Sequence, residues 1–285
     1  MLFSLFSRLP LSVKVWAIQQ IAFHVIGLGF EWLDNANALR KVRARETDTK
    51  PYKRLLPKVL LNQCLVLLPC MVFCEVTGLC FTHKGYISTG RALLSLPVLA
   101  IGHDVVQYLT HRYLLHQPNL KLMRMLRHSV HHSTTAAKGI SACYMSAPDF
   151  FLEIVLPYLV PLALVGGGGT DLRFHSLVVA SGAFGGIYEH SGYDLALAFQ
   201  AVPQEKGDAW YWKILASLIA DIVSTRAHHE HHSRGQVSFS DGFGSPGLCD
   251  TIFGTRWDMV PKHREDVERE WRSQSEQQTA NLKYT

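Results

Sequence analysis

No two of the six cysteines stand in a C-x-x-C pair, so neither a zinc knuckle nor a disulfide framework is indicated. Cys64, Cys70, Cys74 and Cys80 lie in apolar sequence and read as small buried hydrophobes. There is no H-E-x-x-H, because Glu230 is followed by His231, His232 and Ser233, which removes a zinc-protease reading. No Glu-x-x-His pair supports a soluble di-iron carboxylate bundle, and no G-x-S-x-G offers a serine nucleophile. Charge is nearly missing from long stretches: residues 59 to 80, "VLLNQCLVLLPCMVFCEVTGLC", carry one formal charge, Glu75.

Those stretches define the class. Residues 92 to 102 continue the apolar pattern, and a second pair follows at 150 to 165 and 174 to 189. A bilayer core needs about 20 apolar helical residues. These segments predict an all-α, integral membrane helical bundle with about four transmembrane helices. The stretch 10 to 33 is apolar but holds Lys14, two glutamines and His24, so it could span, lie in the interface or pack on the rest. Its polar content and the lack of a small-residue cleavage site argue against a removable signal peptide. The expected location is an internal membrane.

Net charge is +5, and the basic residues are bunched: Arg40, Lys41, Arg43, Arg45, Lys50, Lys53, Arg54 and Lys58 directly precede the most apolar segment. Without aromatic interleaving or a nucleic-acid module, no nucleic acid is expected as partner, and the positive-inside rule places this loop in the cytosol. The segment at 59 to 80 then exits and the one from Ala92 returns. The second pair repeats the excursion, reversing at "GGGGTDLR", residues 166 to 173, where glycines permit a tight turn. In "WYWKILASLIADIV", Trp210, Tyr211 and Trp212 are placed to anchor a helix at the interface. The expected organisation is an N-terminal segment and basic loop (1–58), a first membrane helix and lumenal turn (59–96), a di-metal domain (97–257) and a charged tail (258–285).

This bookkeeping brings three histidine-rich stretches to the cytosolic face: "HRYLLH" at 111 to 116, "RHSVHH" at 127 to 132 and "HHEHH" at 228 to 232. On an α-helix, i, i+3 and i+4 share a face, so His128, His131 and His132 are predicted to aim at one point, as are His228, His231 and His232. His111 and His116, five apart, fall roughly 140° from each other on a straight helix, so they bracket a centre or the helix ends or bulges between them. Eight histidines, with His190 as a ninth, exceed what one ion can use, and the count points to two metals. His229 lies about 100° off the face of its neighbours, open to a supporting or a spare-ligand role. His103 is near the cluster but off the spacing; His24, His83, His175 and His263 read as surface or capping residues.

The three stretches resemble the fatty acid hydroxylase and sterol desaturase superfamily of membrane di-iron enzymes, with its H-x(3 or 4)-H, H-x-x-H-H and further H-x-x-H-H. The likeness extends to "DVVQYLTHR" (104–112), "EHSGYDL" (189–195) and "FGSPGLCDTIFGT" (243–255). "HSGYD" and "KVLLNQ" are most like the C-4 methylsterol oxidase branch, which tends to carry His-Pro where this chain has Ala147 and Pro148. The resemblance implies ligand roles for His111, His116, His128, His131, His132, His190, His228, His231 and His232. It implies two iron ions, dioxygen, and electrons from NAD(P)H relayed by cytochrome b5 or its reductase, in the endoplasmic reticulum membrane with the centre facing the cytosol. Asp104, Tyr108 and His111 fall on one helical face, so Asp104 or Tyr108 is expected to take the second ring N–H of a ligand. The implied substrate is a membrane lipid: a sterol first, a fatty acyl chain second, a terpenoid or polyketide-derived metabolite third. The competing class is a non-catalytic membrane metal protein or transporter, which would place ionisable residues at midplane depth.

Overall fold

The computed structural model describes residues 7–48, 50–81, 87–199, 210–240, 242 and 244–262. In chain order its helices are α1 (Leu11–Asn35), α2 (Tyr52–Val76), α3 (Thr89–Leu115), α4 (Leu120–Leu126), α5 (Ala147–Leu164), α6 (Leu172–Glu189), α7 (Trp210–Val223), α8 (Arg226–Arg234) and α9 (Leu248–Ile252). Among the described residues no strand forms, and the only ladder contacts are two isolated bridges, Arg43 with Tyr193 and Ala137 with Ser191. The protein is an all-α bundle.

Four helices, α1, α2, α3 and α5, are long and apolar enough to cross a membrane. Their outer surfaces suit lipid: Trp32, Leu65 and Leu94 are 66%, 68% and 74% exposed. Water would penalise so much apolar surface, whereas acyl chains cover it. Four helices meet that criterion of length and apolarity, the expected number but not the same four, and α6 still runs from the 166–173 turn to the histidine end. The N-terminal stretch qualifies, and α6 does not, because three glycines, two serines, Arg173, His175 and Glu189 dilute its 18 residues. α6 packs along α1 and buries Phe174, Val179, Ala183 and Ile187.

Local chemistry sets the ends. Glu75, the lone charge of the 59 to 80 run, receives the Leu11 and Ser12 amides at 2.9 Å each and so sits at the positive end of the α1 dipole. Ser146 and Asp171 cap α5 and α6 through amides in their first turns. Between α5 and α6, Gly166 to Gly169 all take left-handed φ, from +60° to +81°. His24 and His175 are not surface residues: His24 Nε2 lies 3.1 Å from Gln63 Oε1, and the buried His175 ring holds the Gly169 carbonyl at 3.1 Å. Both find polar partners inside the bundle, which a lone histidine in sequence does not reveal. His83 and His263 lie outside the described residues.

Three of the long helices contain a five-residue π-turn, at Gln63–Leu67, His111–Leu115 and Phe151–Val155. The histidine end of the bundle gathers the C-termini of α1, α3 and α6 with the N-termini of α2 and α5. Lys138 pairs with Glu31 there at 2.8 Å, and the Asn62 amide donates to the carbonyls of Cys143 and Met145.

Candidate metal centre

The π-turn at the end of α3 rotates His116 back toward His111, placing their ring centroids 4.9 Å apart. Of the outcomes that the five-residue spacing left open, the helix takes the bulge. The second motif departs from expectation. His128 to Val130 is a short 3₁₀ turn entered through Arg127 at φ +53°, so the stretch is a tight corner between α4 and the following loop. α8 does carry the third motif as one α-helix.

The rings form two groups, not one point per motif. His111, His116, His128, His132 and His231 bring one ring nitrogen each within 4.8 Å of all the others, and His131, His190, His228 and His232 do the same. The second motif sends His128 and His132 to the first group and His131 to the second. α8 divides its histidines in the opposite sense, one to the first and two to the second. The second and third motifs thus tie both groups together, while His111 and His116 of the first both belong to the first group.

The protonation pattern tests whether a cation fits. The Nδ1 atoms of His111 and His231 donate to the Phe239 and Val237 carbonyls, both at 2.7 Å, and His190 Nδ1 donates to the Gly186 carbonyl at 2.9 Å. His128 Nδ1 faces Asp149 Oδ1 at 2.9 Å. With the hydrogen on Nδ1, each Nε2 presents a bare lone pair. The Nε2 atoms converge: His111 and His128, both with Nδ1 engaged, lie at 3.1 Å, and His132 and His228 bring their Nε2 atoms to 2.9 Å from His128 and 3.0 Å from His190. Two nitrogens at about 2.1 Å from one ion and at right angles are about 3.0 Å apart. The bare lone pairs of His111 and His128 at that separation repel unless a cation lies between them, and the second group gathers four ring nitrogens just as closely, so both donor sets fit a metal.

Extra protons are a poor substitute. Burial, followed by neighbouring imidazoles, drives His116 down to about 2 and His132 to about 3, and burial drives His190 to about 4. His131, His228, His231 and His232 are all held well below the usual histidine range for the same first reason. The rings are held neutral, the state in which imidazole ligates.

The expected supporting residues do other work. Asp104 touches no ligand; its carboxylate receives the Leu248 and Cys249 amides at 2.9 and 3.0 Å and the Ser245 hydroxyl at 2.9 Å, capping α9. Tyr108 stacks on Phe253 and meets Arg112 and Thr255 through its hydroxyl. The physical reason is shared: that face of α3 is covered by the 245 to 255 segment, which separates both side chains from the rings. His229 belongs to neither group. Its ring donates to the Glu189 backbone, and burial beside Arg45 lowers it to about 3. His103 lines the cavity below the centre, outside both groups.

The partners of the ligand rings come from elsewhere. Asp149 and Glu153, one turn apart on α5, flank His128; Glu153 also lies 3.6 Å from His131 Nε2. Two carboxylates at i and i+4 at the head of an apolar run were the available sequence signal. Asp250 receives the Phe239 and Ser240 amides at 3.0 and 2.7 Å, which shapes the turn whose carbonyls hold His111 and His231. The basic loop is more than a topology signal. Arg45 donates to the Thr135 carbonyl at 2.7 Å and reaches the His229 carbonyl and Ser233, joining the second and third histidine motifs.

Beneath the rings a cavity of ≈ 420 Å³ opens between the long helices, running from Leu96 and Met71 up to His111, His190 and His228. Its walls are mostly apolar, so it suits the body of a lipid. Gly242 to Gly247 spell G-x-G-x-x-G, but they follow no strand and precede only the five-residue α9, so they do not form a dinucleotide site. No curated protein and no solved structure matches the chain. The fatty acid hydroxylase family model matches residues 96–255, more than half of the sequence and the whole span from the cavity-lining face of α3 to the segment behind Tyr108. With its paired histidine groups at the head of an apolar cavity, this chain belongs to the fatty acid hydroxylase family of membrane, iron-dependent oxygenases and desaturases.

Proposed function

We propose that the protein is a di-iron, dioxygen-dependent oxidoreductase that inserts oxygen into, or desaturates, a C–H bond of a membrane lipid. The observation that carries this reading is the position of the two histidine groups at one end of a mostly apolar cavity. A transporter would need ionisable groups along a path through the membrane, whereas these rings cluster at one end of the bundle. The iron ions, when bound, supply the oxygen activation and hydrogen abstraction that side chains cannot. For hydroxylation the balance is R–H plus dioxygen, two electrons and two protons, giving R–OH and water. The electrons come from NAD(P)H through cytochrome b5 or its reductase.

The chain's own residues bind, orient and exclude water. Phe239, Val237 and Gly186 fix three rings by carbonyl acceptance, and Asp149 fixes a fourth. Phe239 and Ile154 help wall the upper cavity, keeping bulk water from the reacting carbon. A sterol oxidised at a C-4 methyl group is the first-choice substrate, supported by the "HSGYD" motif, with an acyl chain or a specialised terpenoid or polyketide as alternatives. The proposed location is the endoplasmic reticulum, with the centre toward the cytosol.

Purified protein loaded with ferrous iron is expected to hold close to two ions per chain, and lipid profiles of cells with and without the gene to differ by an oxidised product. His131→Ala is expected to abolish that product while inserting normally. A reproducible value near one ion per chain ends the dinuclear proposal, and unchanged lipid profiles end the oxidative one.

A further inference from the structure

Below the histidine groups the cavity carries two polar atoms with nothing to bond. Gln107 Oε1 on α3 and the Tyr158 hydroxyl on α5 are buried, and neither has a hydrogen-bond partner among the described residues. Both residues line the cavity. Such groups are costly in an apolar enclosure unless a bound molecule completes them.

Their heights can be compared through a contact between the two helices. Gly102 of α3 packs against Pro161 of α5 so tightly that a Cβ there would lie 2.7 Å from the proline Cβ. Gln107 lies five residues from this contact toward the histidines, and Tyr158 three. At about 1.5 Å per residue the two stand at the same level to within about 3 Å. His111 is one further turn along α3, about 6 Å above Gln107. Below them, Leu96, Leu99, Met71 and Phe23 wall the deeper part with hydrocarbon.

We infer that Gln107 and Tyr158 form a hydroxyl-recognition site, so that the substrate is a lipid alcohol oxidised close to its own hydroxyl group; this rests on the oxidoreductase reading above. The amide oxygen needs a donor and the phenol offers one. An alcohol oxygen donates and accepts at a single atom, whereas an ether, ketone or carboxylate oxygen only accepts. The hydrocarbon body then fills the lower cavity, and carbons within a few bonds of the hydroxyl reach the rings. A chain entering hydrocarbon-first would instead leave both polar atoms unpaired.

The test uses the full-length protein in lipid nanodiscs, metal-free and iron-loaded. Its probes are a 4,4-dimethyl-3β-hydroxysterol with its 3-O-methyl ether, and octadecanol with its methyl ether. Wild-type protein is expected to bind at least one alcohol about ten-fold more tightly than its ether, the size of one good hydrogen bond. Gln107→Leu removes that preference by weakening the alcohol alone, and Gln107→Glu, which keeps an acceptor, retains it. Tyr158→Phe weakens alcohol and ether alike. The inference is overturned if neither pair shows a preference, or if Gln107→Leu leaves the preference intact. A turnover assay on the same samples separates the two readings: the hydroxyl preference with no oxidation keeps the site and removes the oxidoreductase, whereas oxidation indifferent to Gln107 does the reverse.

Discussion

At the residue scale, the ligand rings differ chiefly in what holds the nitrogen that faces away from the centre. His128 is held by a carboxylate rather than a carbonyl, through Asp149 at 2.9 Å. Asp149→Asn preserves shape but removes the charge that favours a proton on Nδ1, and loss of such a partner typically costs 10- to 100-fold in metal affinity. That loss is the expected result, read by competition with a chelator; unchanged affinity would reduce Asp149 to a packing residue. The pH response follows from the depressed histidines. Values of about 2, 3 and 4 for His116, His132 and His190 lie below the unfolded ~6.5, so acid protonates the unfolded chain first. The metal-free fold therefore keeps this stability above about 6.5, starts to lose it as pH falls below that, and has lost it fully below each folded value. Metal retention, by contrast, should stay flat from pH 7 to about 5 as far as His116, His132 and His190 decide it, because protons do not compete for those folded rings in that range. Metal content of dialysed samples across this range checks it. Eight of the nine grouped rings stand in motifs whose spacing is visible in the sequence, whereas His190 stands alone and entered only through the likeness of "EHSGYDL"; the role of Asp149 depends on α5 folding back beneath the 128 to 132 corner.

At the element scale, the sequence spacing left a bulge in α3 as one of three outcomes and did not show the corner at His128. A five-residue interval is wrong for a regular helix, and that mismatch is visible in the string itself. An i, i+3, i+4 pattern fits a helix equally well whether or not one forms, and here the left-handed Arg127 ends α4 before it can. The division of the second and third motifs between two groups has no counterpart in the spacing. The four-glycine reversal was legible, because few other residues tolerate consecutive left-handed φ. Gly167 carries a second constraint: a Cβ there would lie 2.6 Å from the Leu79 carbonyl oxygen and 2.8 Å from Cys80 Cα, both backbone atoms that cannot swing aside. Gly167→Ala is expected to destabilise the fold by roughly 1–2 kcal/mol from the left-handed φ alone, with the collision in addition. Gly29→Ala in α1 meets nothing within 4 Å and should be neutral or slightly stabilising. Thermal unfolding of both variants in the same detergent makes the comparison, and equal midpoints would contradict the turn described.

At the scale of the whole molecule, orientation is the property that links the fold to the proposed electron supply. The positive-inside argument counted the basic run from Arg40 to Lys58 as free charge, yet Arg43 pairs with Asp34 at 2.7 Å and Arg45 is engaged by the histidine motifs. Charge spent in such contacts is still charge at that end of the bundle, and Arg40, Lys41, Lys53 and Arg54 remain exposed there. The opposite end carries fewer basic residues, Arg8 and Lys14 around the start of α1, Lys84 in the sequence between α2 and α3, and Arg91 and Arg173 beside the two turns. The rings, the basic loop and the 133 to 148 segment share one end, so they must face the same side whichever side it is. Glycosylation acceptor sites introduced separately at 81–90 and 166–173 are expected to be modified, and one introduced at 133–148 to stay unmodified. Modification at 133–148 would put the metal groups in the lumen, out of reach of a cytosolic reductase, and would require a different electron donor even if every ligand assignment survived.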